Sequence, residues 1–177
     1  IGTGQDEQIH ISGGKVTATG GSGSAGIGGG NHSSGTGENG QIIIDGTAVV
    51  TATGKGGSAG IGGAYQCNGT GTKGKLLLAG SAQVTASSDS GAGIGAGCTY
   101  DNNVESTTWA TGSYGEILIT EDVVVEASAD SGAGIGGSRP YYLNGASYGT
   151  GSNGKLTING NAQVTATSTQ AAGIGGG

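Results

Sequence analysis

The chain contains no Phe and no Met, only one Trp and only one Pro, which excludes a core packed from large aromatic and thioether side chains. Basic residues are scarce as well. Six Lys and Arg stand against twelve Asp and Glu, for a formal charge of −6 with no basic run, so nucleic acid and anionic membrane surfaces are poor partners. Charged residues make up only 10% of the chain, which argues against the self-repelling composition of disordered segments. No apolar run approaches the roughly 18 to 20 residues that span a bilayer. No charged segment leads into an apolar one at the start, so a leader or anchor in the parent is expected outside these residues.

Glycine fills this compositional space, at 44 of 177 residues. Such an excess, with Ile, Val and Leu recurring at fixed spacings, calls for a repeat architecture. The tetrapeptide Ala-Gly-Ile-Gly starts at Ala25, Ala59, Ala92, Ala133 and Ala172, placing its isoleucines at Ile27, Ile61, Ile94, Ile135 and Ile174. Ile1-Gly2 reads as the end of a further copy, so residues 1–177 read as a single segment excised from a longer array.

Each motif is preceded by two alternating pairs. The first comprises Ile9 and Ile11, Ile42 and Ile44, Leu76 and Leu78, Ile117 and Ile119, and Leu156 and Ile158; the second joins Val16, Val50, Val84, Val125 and Val164 to the alanine two residues on. From the first apolar residue to the motif isoleucine the distances are 18, 19, 18, 18 and 18 residues. Alternation of period two turns one set of side chains inward on a strand. Three short strands per repeat, separated by turns such as Asp45-Gly46 and Asn159-Gly160, predict an all-β, right-handed parallel β-helix of about five triangular coils. Coils stacked about 4.8 Å apart place Ile over Ile and Val over Val. The first motif glycines, Gly26, Gly60, Gly93, Gly134 and Gly173, are expected to face outward and leave a wall of bare backbone.

The Val-Thr-Ala-Thr-Gly and Ala-Gly-Ile-Gly-Gly phrases resemble the tandem repeats of large Gly-rich, adhesin-like β-helical cell-surface proteins of Gram-positive bacteria. They are similar too to right-handed β-helix carbohydrate-binding domains. The resemblance covers all five repeats through core and turn positions and implies an extracellular or secreted stalk that binds a glycan or another host or cell-surface polymer. Some members of the carbohydrate-binding group use calcium. Here acidic ladders are sparse, with Asp89 and Asp130, at equivalent corners of neighbouring coils, as the candidate pair.

Nearly all length variation lies on one edge of the solenoid. The connection from each motif isoleucine to the next first strand runs 8, 15, 15, 23 and 21 residues. These connections carry every aromatic: Tyr65, Tyr100, Trp109, Tyr114, Tyr141, Tyr142 and Tyr148. They also hold the only arginine, Arg139, together with Asp101. Rings displayed on loops held by a rigid scaffold suit ligand recognition, or else they pack long loops onto the solenoid wall. The expected ligand site is therefore Tyr100, Asp101, Trp109, Tyr114, Arg139, Tyr141, Tyr142 and Tyr148.

Cys67 and Cys98 leave corresponding corners of adjacent coils, which predicts a disulfide and an oxidising compartment; two free thiols are the alternative. Gly35-Thr-Gly-Glu-Asn-Gly40 and Gly149-Thr-Gly-Ser-Asn-Gly154 match G-x-G-x-x-G but precede strands, so they read as turns rather than dinucleotide sites. No Lys or Arg accompanies the acidic residues in register, and the sequence points away from catalysis.

Two outer faces carry further expectations. Thr17 and Thr19, Thr51 and Thr53, Thr85 and Ser87, and Thr165 and Thr167 form hydroxyl ranks on the second strand, interrupted by Glu126, and ice binding is the rival function. Thermal hysteresis separates the two. On the first strand Ile43, Leu77 and Leu118 form an apolar ridge that calls for a covering loop or for self-association.

Overall fold

A computed structural model describes residues 8–30, 40–65, 74–98, 115–139, 141–143, 146–148 and 154–177. The alternating pairs form the expected strands. Coil 1 comprises β1 (Gln8–Ile11), β2 (Lys15–Thr19) and β3 (Ile27–Gly28); coil 2 comprises β4 (Gln41–Ile44), β5 (Val49–Thr53) and β6 (Ile61–Gly62). Coil 3 follows with β7 (Lys75–Leu78), β8 (Gln83–Ser88) and β9 (Ile94–Gly95), and coil 4 with β10 (Glu116–Ile119), β11 (Val124–Ala129) and β12 (Ile135–Gly136). A hairpin, β13 (Tyr141–Leu143) and β14 (Ala146–Tyr148), precedes coil 5 with β15 (Lys155–Ile158), β16 (Gln163–Ser168) and β17 (Ile174–Gly175).

Like strands stack into three parallel five-stranded sheets, in the orders β1-β4-β7-β10-β15, β16-β11-β8-β5-β2 and β17-β12-β9-β6-β3. Register follows the sequence repeat. Ile42 pairs with Leu76, Val50 with Val84 and Ile61 with Ile94, so each inward column is continuous along the axis. Ile44, Ile61, Leu78, Ile94, Ile119 and Ile135 are fully buried, each contributing roughly 1.5–3 kcal/mol of burial.

One column of the core was not anticipated. Four residues join the first and second strands in coils 2 to 5, and the last of them, Ala48, Ala82 or Val123 in coils 2, 3 and 4, is fully buried. Coil 1 has only the three residues Ser12–Gly14 there. Its second corner is one residue longer than those of coils 3 to 5, so its overall spacing equals their 18 residues and hides the difference.

The glycine wall needs correction. Gly60, Gly93 and Gly134 are buried, and their missing side chains point at backbone. A Cβ on Gly93 would lie 2.7 Å from the Gly134 carbonyl oxygen and 2.7 Å from the Ser128 nitrogen, both in the next coil. The third side doubles back on itself: the Ala92 N–H donates to the Ala96 carbonyl (2.9 Å), and the same bond recurs from Ala25 to Gly29, Ala59 to Gly63 and Ala133 to Gly137. That loop presses the first motif glycine against the second strand. The second motif glycine has φ near +130°, as at Gly28 and Gly62, where side chains are strained. Ala-Gly-Ile-Gly is thus the sequence of a tight fold in the wall, with Ile supplying the core.

Candidate functional site

The outer face of the first sheet carries two columns. Gln8, Gln41, Lys75, Glu116 and Lys155 stand in register along one, and His10, Ile43, Leu77, Leu118 and Thr157 along the other. Between them lies a groove of about 430 Å³ with Ile43, Leu77 and Leu118 as its apolar floor and Gln41, Lys75, Glu116 and Lys155 along its polar side. Leu118 remains 38% exposed. At the coil 1 end, Gln8 donates to Gln41 (3.1 Å) and His10 bonds Asp45 (3.0 Å). The variable connections end immediately before the polar column, at Gly40, Gly74, Gly115 and Gly154.

Of the expected ligand residues, Tyr100, Asp101, Trp109 and Tyr114 lie outside the described residues, as does Cys67. Arg139 is exposed, and its backbone N–H donates to the Ser90 carbonyl (3.2 Å). Tyr141 and Tyr148 are register partners in the antiparallel β13–β14 hairpin, and Tyr142 pairs with Ser147. Sequence reading missed this hairpin. Its signal was Leu143-Asn-Gly-Ala146, an Asn-Gly turn between short strand-forming runs. Tyr65 takes the packing role: a Cβ on Gly57 would meet its ring at 2.7 Å, so the ring lies over the Gly57 backbone beside Cys98.

Cys98 is a buried free thiol whose Sγ–H donates to the Ser90 carbonyl (3.0 Å), and its N–H donates to Gly57 (2.6 Å). Burial pushes the thiol from an ordinary 9.0 up to about 11, against a smaller opposing pull from Arg139. Between pH 9 and pH 11 the unfolded chain has released a proton that the folded chain keeps, so unfolding gains ground as the pH rises. The stability difference is present in full below pH 9 and is lost by pH 11, amounting to about 2–3 kcal/mol. Chemical denaturation across this range should show a steeper alkaline decline in the reduced parent than in Cys98→Ala. Parallel declines would refute the buried thiol.

Asp89 serves structure. Its carboxylate accepts the N–H groups of Gly56 (3.0 Å), Gly57 (3.1 Å) and Ser90 (2.6 Å), tying coil 3 to the corner of coil 2. Asp130 stands exposed at the equivalent corner of coil 4, and among the described residues no group of three or more His, Cys, Asp or Glu could hold a metal. Because these bonds are partly solvated, Asp89→Ala should cost about 1–2 kcal/mol in thermal or urea unfolding. An unchanged midpoint would mean that the latch contributes nothing.

The hydroxyl ranks are in register on the second sheet, with Thr17 beside Thr51 and Thr51 beside Thr85. Thr53 and Ser87 share a hydrogen bond of 3.2 Å. Glu126, exposed, separates Thr85 from Thr165, while Val49 and Val124 stand 37% exposed in the neighbouring column.

A family model described as a beta helix repeat matches residues 9–31, 42–65 and 156–177, the segments that build coils 1, 2 and 5. Searches of curated proteins and of solved structures returned no match. The three in-register sheets make the chain a parallel β-helix with three strands per coil, and its coils 1, 2 and 5 are similar to the beta helix repeat family.

Proposed function

We propose that this chain is an extracellular, adhesin-like β-solenoid that binds a glycan in the groove across its first sheet, beside the connections that carry the aromatics. The observation that carries the reading is the groove itself, an apolar floor with several polar and charged groups along one side. Sugar rings present C–H faces to apolar surfaces and hydroxyls to polar groups, so a trough of this mixed lining suits them. Tyr141 and Tyr148, register partners in the hairpin, and Trp109 in the longest connection are the aromatic residues of the sequence that this reading assigns to the sugar.

A glycan array probed with the chain tests this. Trp109→Ala, Tyr141→Ala and Leu77→Glu should each weaken binding of the identified glycan at least about tenfold, equivalent to about 1.4 kcal/mol, with melting temperatures close to the parent. Binding untouched by all three would overturn the site. The second reading, ice binding, draws on the in-register hydroxyl ranks of the second sheet. Thermal hysteresis that disappears in Thr51→Tyr and Thr85→Tyr would favour it and displace the glycan reading.

A further inference from the structure

The groove on the first sheet repeats with the coils. Each of coils 2 to 5 contributes one exposed residue to its polar side, Gln41, Lys75, Glu116 and Lys155 in turn. Each of coils 2 to 4 contributes one residue to its apolar floor, Ile43, Leu77 or Leu118, with His10 and Thr157 at the two ends of that run. In-register pairing spaces these positions about 4.8 Å apart along the axis. Lys75 and Lys155, two coils apart, are therefore separated by about 9.6 Å, with Glu116 between them. A ligand lying in the groove meets an apolar side chain at each coil, and a cation at coil 3 and again at coil 5.

We propose that the ligand is a linear, acidic glycan extended along the solenoid axis, with one sugar ring over each coil and a carboxylate turned to the polar side by every second ring. This deepens the glycan reading and rests on it. Step length selects the polymer. An extended peptide turns a side chain to one face about every 6.6 Å, out of step with the coils. An equatorially linked pyranose, spanning its ring plus one glycosidic oxygen, advances by close to one coil spacing. Each ring then lays a C–H face on one of Ile43, Leu77 and Leu118. Successive rings of such an extended chain are turned over relative to each other, so an exocyclic carboxylate comes to a given side at alternate rings. That period brings carboxylates to Lys75 and Lys155 and sets the hydroxyl or amide donors of the ring between them against Glu116. Charge agrees as well: in a chain of net charge −6, the groove carries two cations, Lys75 and Lys155, against the single anion Glu116.

Isothermal titration of the chain with oligosaccharides of alternating glucuronic acid and N-acetylglucosamine, from di- to octasaccharide, tests this beside a neutral series of β-linked glucose. In the acidic series the tetrasaccharide should bind at least about tenfold more tightly than the disaccharide, and should exceed the neutral tetrasaccharide by about as much. Lys75→Gln with Lys155→Gln should erase that preference for the acidic series while leaving the melting temperature close to the parent. Affinity that does not grow with length would put a chain end or a single sugar in the groove and overturn the axial chain. Equal binding of the two series, or a preference that survives the double substitution, would overturn the role of the lysines. If neither series binds while the glycan array yields another ligand sensitive to Leu77→Glu, this proposal fails and the glycan reading stands; no binding to any glycan removes both.

Discussion

Ile94→Asp is expected to abolish cooperative unfolding of the five-coil stack. Ile94 is fully buried, with Ile61 on one side and Ile135 on the other in register. The substitution removes roughly 1.5–3 kcal/mol of burial and leaves a carboxylate with no hydrogen-bonding partner among the aliphatic side chains of the column. That second cost decides the outcome. Burying even a neutral polar group unpaired costs at least about 1–3 kcal/mol, and a charge costs more. Because each coil touches only its neighbours, damage in coil 3 also separates coils 1 and 2 from coils 4 and 5, neither pair being long enough to stand well alone. Thermal unfolding followed by circular dichroism should show a broad transition displaced by more than about 10 °C, or none. A variant melting within a few degrees of the parent would refute the continuous isoleucine column.

Gly93→Ala should be nearly as damaging, although it adds a single methyl group. The new Cβ would approach two backbone atoms of coil 4 at 2.7 Å, closer than such contacts allow, and neither atom sits on a side chain that can swing away. Overpacking costs typically 1–3 kcal/mol where side chains can adjust, and this site should exceed about 3 kcal/mol because backbone must move. Gly21→Ala provides the opposite case. Nothing lies within 4 Å of the added methyl at Gly21, an exposed position, so this change should be neutral or stabilise by about 0.4–1 kcal/mol through the unfolded chain. The pair separates glycine kept for space from glycine that merely fills a turn. Equal effects at the two sites would contradict the packing of the third side.

The contrast also marks where sequence reading succeeded and where it stopped. Alternation at Ile42 and Ile44 or Val50 and Ala52, repeated at near-constant spacing, was enough to assign strands, inward faces and coil-to-coil register, because those properties depend only on period and repeat length. The third side broke the assumption. With two residues per strand, alternation has nothing to act on, and the bond from the Ala92 N–H back to the Ala96 carbonyl, which turns Gly93 inward, leaves no periodic trace in the sequence. Ala48, Ala82 and Val123 escaped notice for a related reason: they occupy corners, which sequence patterns label as turn. The sequence shows Asp89 as a solvated corner with weak calcium potential; the N–H groups of Gly56 and Gly57 that its carboxylate accepts belong to coil 2 and become neighbours only once the coils are stacked. The groove was half legible. The ridge of Ile43, Leu77 and Leu118 was visible as outward positions, but its depth depends on the flanking column from Gln41 to Lys155, which matters only once the strands are side by side.

The unequal corner of coil 1 carries a mechanical consequence. Hydrogen bonds between coils run along the solenoid axis, so tension along that axis is borne by the coil junctions in series, and the stack is only as strong as its weakest junction. From coil 2 to coil 4, Ala48, Ala82 and Val123 continue one another as a buried corner column; at the step to coil 1 that column stops, because Ser12–Gly14 contains no equivalent residue. Under load the junction between coils 1 and 2 is therefore the one expected to part first, leaving coils 2 to 5 intact as the bearing section.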